Sequence, residues 1–221
     1  MTGVYKLPRF AFGDNIRAAI ISDEVFDNEI MEEIYKHLEE GKIFLDVGAN
    51  YGQMSVLAAK RCPGLKVYAF EAQRYVFELL RDNCLTNNVD VTPCYNLVGS
   101  VSGPTFVEPT NLDTHGTYGS NHLVQTESTI NSDSIDRVRI DDLEFDRPIC
   151  LMKIDVQGMD LEVLKGAEET IRREKMPIIF ELERYFMESH DYSPEDFHEF
   201  FNSHEYSLNK INSDNYICVP R

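Results

Sequence analysis

The chain has 221 residues, 43% of them hydrophobic and 11% aromatic, which excludes a disordered protein and allows one domain with a full core. Its formal charge of −17 disfavours nucleic acid and anionic membranes as partners, and no apolar run approaches the roughly 18 residues of a transmembrane helix. The five cysteines are scattered, with no C-x-x-C pair, so they suggest neither a disulfide framework nor a zinc site. The first residues, MTGVYKLPRF, lack the apolar core of a signal peptide. The default expectation is therefore the reducing cytosol.

Strand and helix patterns alternate along the chain, as in an α/β layer fold with a mainly parallel sheet. The segment to about Ser22 is apolar and irregular, with one candidate strand at 18–21. A helix is expected over 28–40, where Ile30, Ile34, Tyr35 and Leu38 share a face. Then follow strand 43–47, helix 52–61, strand 66–70, helix 74–86 and strand 91–98. The stretch 100–136 is rich in Gly, Pro, Ser, Thr and Asn. It reads as a long loop over a ligand pocket, with short strands near 105–107 and 138–140. Regular pattern returns with a buried strand at 150–156, a helix at 160–173 and a buried strand at 177–183. Ser193-Pro194-Glu195-Asp196 is a helix start, with a capping Ser, Pro at the first position and acids in the first turn. A final strand pair is expected at 206–210 and 216–219, giving about seven strands in one domain spanning 1–221, with 1–41 as an N-terminal extension.

IFLDVGANYGQMS, at 43–55, carries the most chemistry. A buried strand ends in Asp46, Gly48 and Gly52 let the chain turn sharply, and a helix begins with its N–H groups free. The spacing is not that of a dinucleotide fingerprint, because Asn50 stands where the second glycine belongs. Asp46 would repel a pyrophosphate and attract an ammonium group, so D-x-G-x-x-x-G suits S-adenosylmethionine better than NAD. The next strand ends in Glu71, 25 residues on, which can accept both ribose hydroxyls. The bland alternative is a tight strand–helix turn with no ligand.

Three blocks then resemble the FkbM family of S-adenosylmethionine-dependent methyltransferases. They are DVGANYG at 46–52, FEA at 70–72 and LMKIDVQGMDLEVLKGAE at 151–168, the last similar to the family's K-I-D-V-E-G-x-E-x-x-V-L-x-G-A. The resemblance covers roughly residues 15–185. It implies a Rossmann-like sheet of seven strands in the order 3-2-1-4-5-7-6, the seventh antiparallel, and O-methylation of a sugar or small natural-product-like acceptor. Gln157 stands where the family has Glu, Asp160 where it usually has Glu, and Ala72 where it often has Pro. Gln157 keeps hydrogen bonding but loses the charge.

In such sheets ligands bind beyond the carboxyl ends of the strands. Asp46, Gly48, Asn50, Gly52, Glu71, Ala72, Asn96 and Asp155 are the candidate cofactor-binding residues. Asn96 would reach the adenine edge or simply cap a turn. Asp155 is the candidate reaction centre, orienting the acceptor hydroxyl, or else it caps the next helix. His115 in the long loop is the candidate general base or a solvated histidine, with Tyr118 and His122 as weaker versions. Glu181 would pair with a substrate donor or share a metal with Asp155, although two carboxylates alone do not make a metal site. The remaining functional alternatives are an N-methyltransferase and a non-catalytic module that binds an adenosyl ligand. Neither the acceptor nor the oligomeric state is legible.

Overall fold

The computed structural model describes residues 3–9, 11, 13–109, 117, 125–126, 132–182 and 192–221. Ten strands are present among them: β1 (Ile43–Val47), β2 (Lys66–Glu71), β3 (Val91–Val98), β4 (Gly103–Val107), β5 (Gln125–Thr126), β6 (Asp133–Val138), β7 (Ile149–Ile154), β8 (Ile178–Glu181), β9 (Tyr206–Lys210) and β10 (Asn215–Pro220). They form one sheet in the order β5-β4-β6-β3-β2-β1-β7-β8-β10-β9. The seven strands from β3 to β9 reproduce the expected 3-2-1-4-5-7-6 order. β10 runs antiparallel to both β8 and β9.

The strand count needs correction from seven to ten. The strand expected near 105–107 is present as β4, lengthened to Gly103–Val107, and the stretch otherwise expected to be loop supplies β5 and most of β6; the three extend the sheet beyond β3. β6 pairs in parallel with β3 and antiparallel with β4. The strand expected at 138–140 also shifts: β6 ends at Val138, and Ile140–Asp142 form a 3-10 turn whose Ile140 is fully buried.

β1 and β7 are buried at every position, as strands covered on both faces must be. One face packs on α5 (Asp160–Gly166), α6 (Glu168–Glu174) and α7 (Pro194–Ser203), where Phe180, Phe197 and Phe201 gather with Leu161, Leu164 and Ile171. The other packs on α2 (Asn28–His37) and α3 (Gln53–Arg61), with Ile30, Met31, Ile34 and Leu57 against Phe44, Val67, Leu151 and Ile179. α4 (Arg74–Asn87) follows β2. The expected start of α7 is present, with Pro194 at the first helical position and Ser193 and Asp196 forming a capping box.

Three helical expectations are revised. Residues 18–21 belong to a helix, α1 (Asn15–Ile21), rather than a strand. Asp14 caps it by accepting from the Arg17 N–H at 2.8 Å. Ile16 and Ile20, four apart on one face, pack toward Ala11, Tyr51, Val76 and Leu79. Helix α2 stops at His37, since Leu38 is extended. The helix expected over 160–173 breaks at Ala167 into α5 and α6. No described helix is long and apolar enough to cross a membrane.

The N-terminal segment is strapped to α4 by two asparagines one turn apart. The Asn83 side chain accepts from the Lys6 N–H at 2.6 Å and donates to the Lys6 carbonyl, while Asn87 pairs with the N–H and carbonyl of Val4. This strap brings α1 to the carboxyl end of the sheet.

Candidate functional site

Beyond the carboxyl ends of β1, β2, β3 and β7 lies a cleft of about 630 Å³. Its walls include Gly48, Asn50, Glu71, Ala72, Asn96 and Asp155 of the expected set, joined by Ile16, Gln73, Leu97, Val156, Gln157 and Met159.

The turn after β1 is shaped by three positive φ angles, at Gly48 (82°), Asn50 (50°) and Gly52 (82°). A Cβ at Gly48 would lie 1.9 Å from the Asp155 carbonyl oxygen, so only glycine lets the two strand ends meet there. Asn50 tolerates the left-handed conformation, and its Oδ1 accepts from the Tyr51 N–H at 2.8 Å.

Glu71 is the best-braced group in the wall. Its Oε2 accepts from the Asn50 N–H at 3.0 Å and its Oε1 from the Gln73 N–H at 2.8 Å. Burial pushes its carboxyl up to about 7, against the pull of the Gln73, Asn50 and Ala72 amides, and the charge of Asp155 adds to the rise. Beside it, Ala72, Leu97 and Met159 cluster with Val156 as an apolar surface. Asn96 lines the cleft while its amide donates to the Asp136 carbonyl at 3.2 Å, tying β3 to β6.

Asp46 is placed beneath the cleft rather than in its wall. It is fully buried, accepts from the Ser55 hydroxyl at 2.5 Å and faces Lys153. The sequence reading overlooked Lys153, which stands opposite Asp46 in the β1–β7 register. Its Nζ is 3.4 Å from Asp46 Oδ1, 3.4 Å from Asp155 Oδ2 and 3.4 Å from the Gly48 carbonyl. At 3.4 Å the Asp46 Oδ1 contact is an ion pair without hydrogen-bond alignment. Burial alone would lower the lysine pKa, but Asp155 and Asp46 outweigh it and hold the ammonium charged. Gly52 also sits outside the wall, as the residue that caps α3.

Asp155 follows the last residue of β7 and keeps about a third of its side chain (35%) exposed. It does not cap the next helix, whose N-cap is Met159. The Gln157 amide nitrogen donates to Asp155 Oδ1 and Glu181 Oε2, both at 3.1 Å. A neutral amide thus stands between the two carboxylates considered as metal ligands. Among the described residues, no group of three or more His, Cys, Asp or Glu side chains is arranged to hold a metal ion. Asp160, buried in the first turn of α5, is raised to about 7 by burial and by Asp155. His115, Tyr118 and His122 lie outside the described residues. Thr117 is described, and its hydroxyl donates to Asp14 Oδ2 at 3.1 Å, as does the Tyr51 hydroxyl at 2.8 Å.

The family model for the methyltransferase FkbM domain matches residues 46–208. The hexuronic acid methyltransferase AglP of Haloferax volcanii is 28% identical over 155 residues, which cover 69% of this chain and 61% of that protein. The chain therefore spans about three fifths of this curated relative. The crystal structure of methyltransferase FkbM from Methylobacillus flagellatus KT superposes with a TM-score of 0.54 at 18% identity, covering 82% of this chain and 44% of that one. The O-methyltransferase of Bacillus cereus in complex with SAH gives 0.52 at 12% identity, covering 93% and 88%. At such identities the two structures establish the shared Rossmann-like methyltransferase fold.

Proposed function

The chain belongs to the FkbM methyltransferase family, and from that premise we propose that it transfers a methyl group from S-adenosylmethionine to a hydroxyl of a sugar or similar small acceptor. The observation that carries this reading is the placement of Glu71. A buried carboxylate at the end of β2 is braced by the amides of the glycine turn and faces the same cleft as Asp155. The sugar acceptor is supported by AglP, whose own acceptor is a hexuronic acid.

The residues present fit the cofactor. The cleft lies beyond the carboxyl ends of the parallel strands, where ligands of such sheets bind. Ala72, Leu97 and Met159 offer an apolar face for a purine. Glu71 has lone pairs left beyond its two backbone bonds for ribose hydroxyls. The Gly48–Asn50 turn would hold the methionine portion, with the buried Asp46–Lys153 pair bracing the Gly48 carbonyl from below. When bound, S-adenosylmethionine supplies a methyl group made electrophilic by its sulfonium. Asp155 lies at the open end of the cleft, where its carboxylate accepts a hydrogen bond from an acceptor hydroxyl and orients it. Positioning and exclusion of water then provide most of the rate enhancement.

Calorimetry with S-adenosylmethionine and S-adenosylhomocysteine, followed by methyl transfer to a panel of hydroxylated acceptors, tests the proposal. Glu71→Ala is expected to weaken cofactor binding by about tenfold or more, the worth of hydrogen bonds to a charged group. Unchanged affinity would remove Glu71 from the ribose site. Cofactor binding without transfer to any acceptor would favour a non-catalytic binding module.

A further inference from the structure

Resting on the cofactor and sugar-hydroxyl reading above, we infer that the acceptor of this chain is uncharged or cationic, a neutral sugar or an amino sugar, and that uronates are rejected. With the nucleoside against Glu71, Ala72 and Leu97, the acceptor enters at the Asp155–Gln157 end of the cleft. An anionic acceptor needs a cation there, free to meet its carboxylate. Among the described residues, the cleft wall contains Glu71 and Asp155 but no lysine, arginine or histidine.

Lys153 is the cation beneath that end, and it is already engaged. One ammonium faces both Asp46 and Asp155, which leaves an excess negative charge. Only 6% of its side chain is exposed, so it does not reach a ligand. The Gln157 amide nitrogen is likewise directed to carboxylates, those of Asp155 and Glu181. A further acid stands nearby on another element. Asp27, at the start of α2, has its carboxyl raised by partial burial and by the charge of Asp155, while Lys153 pulls it the other way. Arg74 follows the wall residue Gln73, acts on Tyr95 of β3 and is not itself part of the wall. An entering carboxylate would lose water and meet like charge, whereas a hydroxyl or ammonium group would find acceptors. This sets the chain apart from AglP, which is a hexuronic acid methyltransferase.

The test uses the full chain saturated with S-adenosylhomocysteine, whose own binding is first measured by calorimetry. Failure of that first step would refute the cofactor reading rather than the charge selectivity. Methyl glucoside, glucosamine and glucuronate are then titrated, with binding read by saturation-transfer NMR. The neutral and cationic sugars are expected to bind at least about tenfold tighter than glucuronate, with the gap narrowing in about 0.5 M salt as charges are screened. Asp27→Asn keeps a residue type that tolerates the left-handed backbone of this position (φ 48°) and is expected to narrow the gap severalfold. Glucuronate binding as tightly as methyl glucoside, or no difference among the three sugars, overturns the inference. So does a gap that Asp27→Asn and salt both leave unchanged.

Discussion

Lys153 shows how one residue ties the strands to the site. It is a lone cation inside the apolar run CLMKIDV, and β7 is buried throughout. A charge in such a strand persists only when paired. Asp46 and Asp155 supply the pairing, one across the β1–β7 register and the other two residues on, just past the end of β7. Replacing Lys153 with Met would leave Asp46 as a buried charge held only by Ser55. The expected loss is about 3–5 kcal/mol of unfolding free energy in urea titration. Adding Asp46→Asn should recover a large part of it. A loss below about 1 kcal/mol would mean that the pair contributes little to the fold. Gly48, Asn50, Glu71 and Asp155 were legible beforehand, because a sharp strand–helix turn and strand-end acids leave a local signature. Lys153 and the bridging role of Gln157 were not. They depend on which strands lie side by side, and the hints were a lysine in an apolar run and the K-I-D-V-x-G pattern around it, neither of which names a partner.

At the scale of elements, local periodicity found the strands and helices that carry a long apolar pattern. It erred where a neighbouring element decides the geometry. Residues 18–21 of α1 were read as a strand because a short unbroken apolar run carries no helical period, and its cap, Asp14, gains meaning only beside Arg17 and Tyr51. β6 was read mostly as loop, and β4 only over 105–107, because their exposed positions carry turn-forming residues, while pairing of β6 with β3 and of β4 with β6 holds both in the sheet. The division of α5 from α6 has a packing counterpart at Gly166. A Cβ there would lie 2.0 Å from the Gly99 carbonyl oxygen, in the turn that follows β3. The helix end and that turn touch through bare backbone, so even one methyl group forces them apart. Gly166→Ala is expected to cost about 1–3 kcal/mol by overpacking, despite the higher helix propensity of alanine. Thermal unfolding followed by circular dichroism checks it. A stabilised variant would show that the turn after β3 yields freely.

Across the whole molecule, charge acts in one direction with pH over the neutral range. The formal charge of −17 makes the folded state repel itself as more acids ionise. Glu71 and Asp160 add a specific contribution, since burial raises both to about 7. An acid with a raised folded-state pKa binds a proton more tightly when folded. Its contribution to stability is therefore lost as pH rises through about 7 and is complete only near its ordinary value, about 4. Each group contributes a slope of up to about 1.4 kcal/mol per pH unit inside that window. Glu162, whose burial cost is outweighed by hydrogen bonds from Ser100, Tyr192 and Lys165 together with the Lys165 charge, is lowered and works in the opposite sense, and its stabilisation fades only as pH falls below the usual glutamate range. Maximum stability is thus expected at about pH 5–6, below the neutral range. Urea midpoints measured from pH 4 to 9 should peak there and fall toward pH 8, with added salt recovering more stability at pH 8 than at pH 6. The double variant Glu71→Gln, Asp160→Asn should flatten the decline between pH 6 and 8. A midpoint that rises over that interval would show that neither buried acid holds its proton in the folded protein.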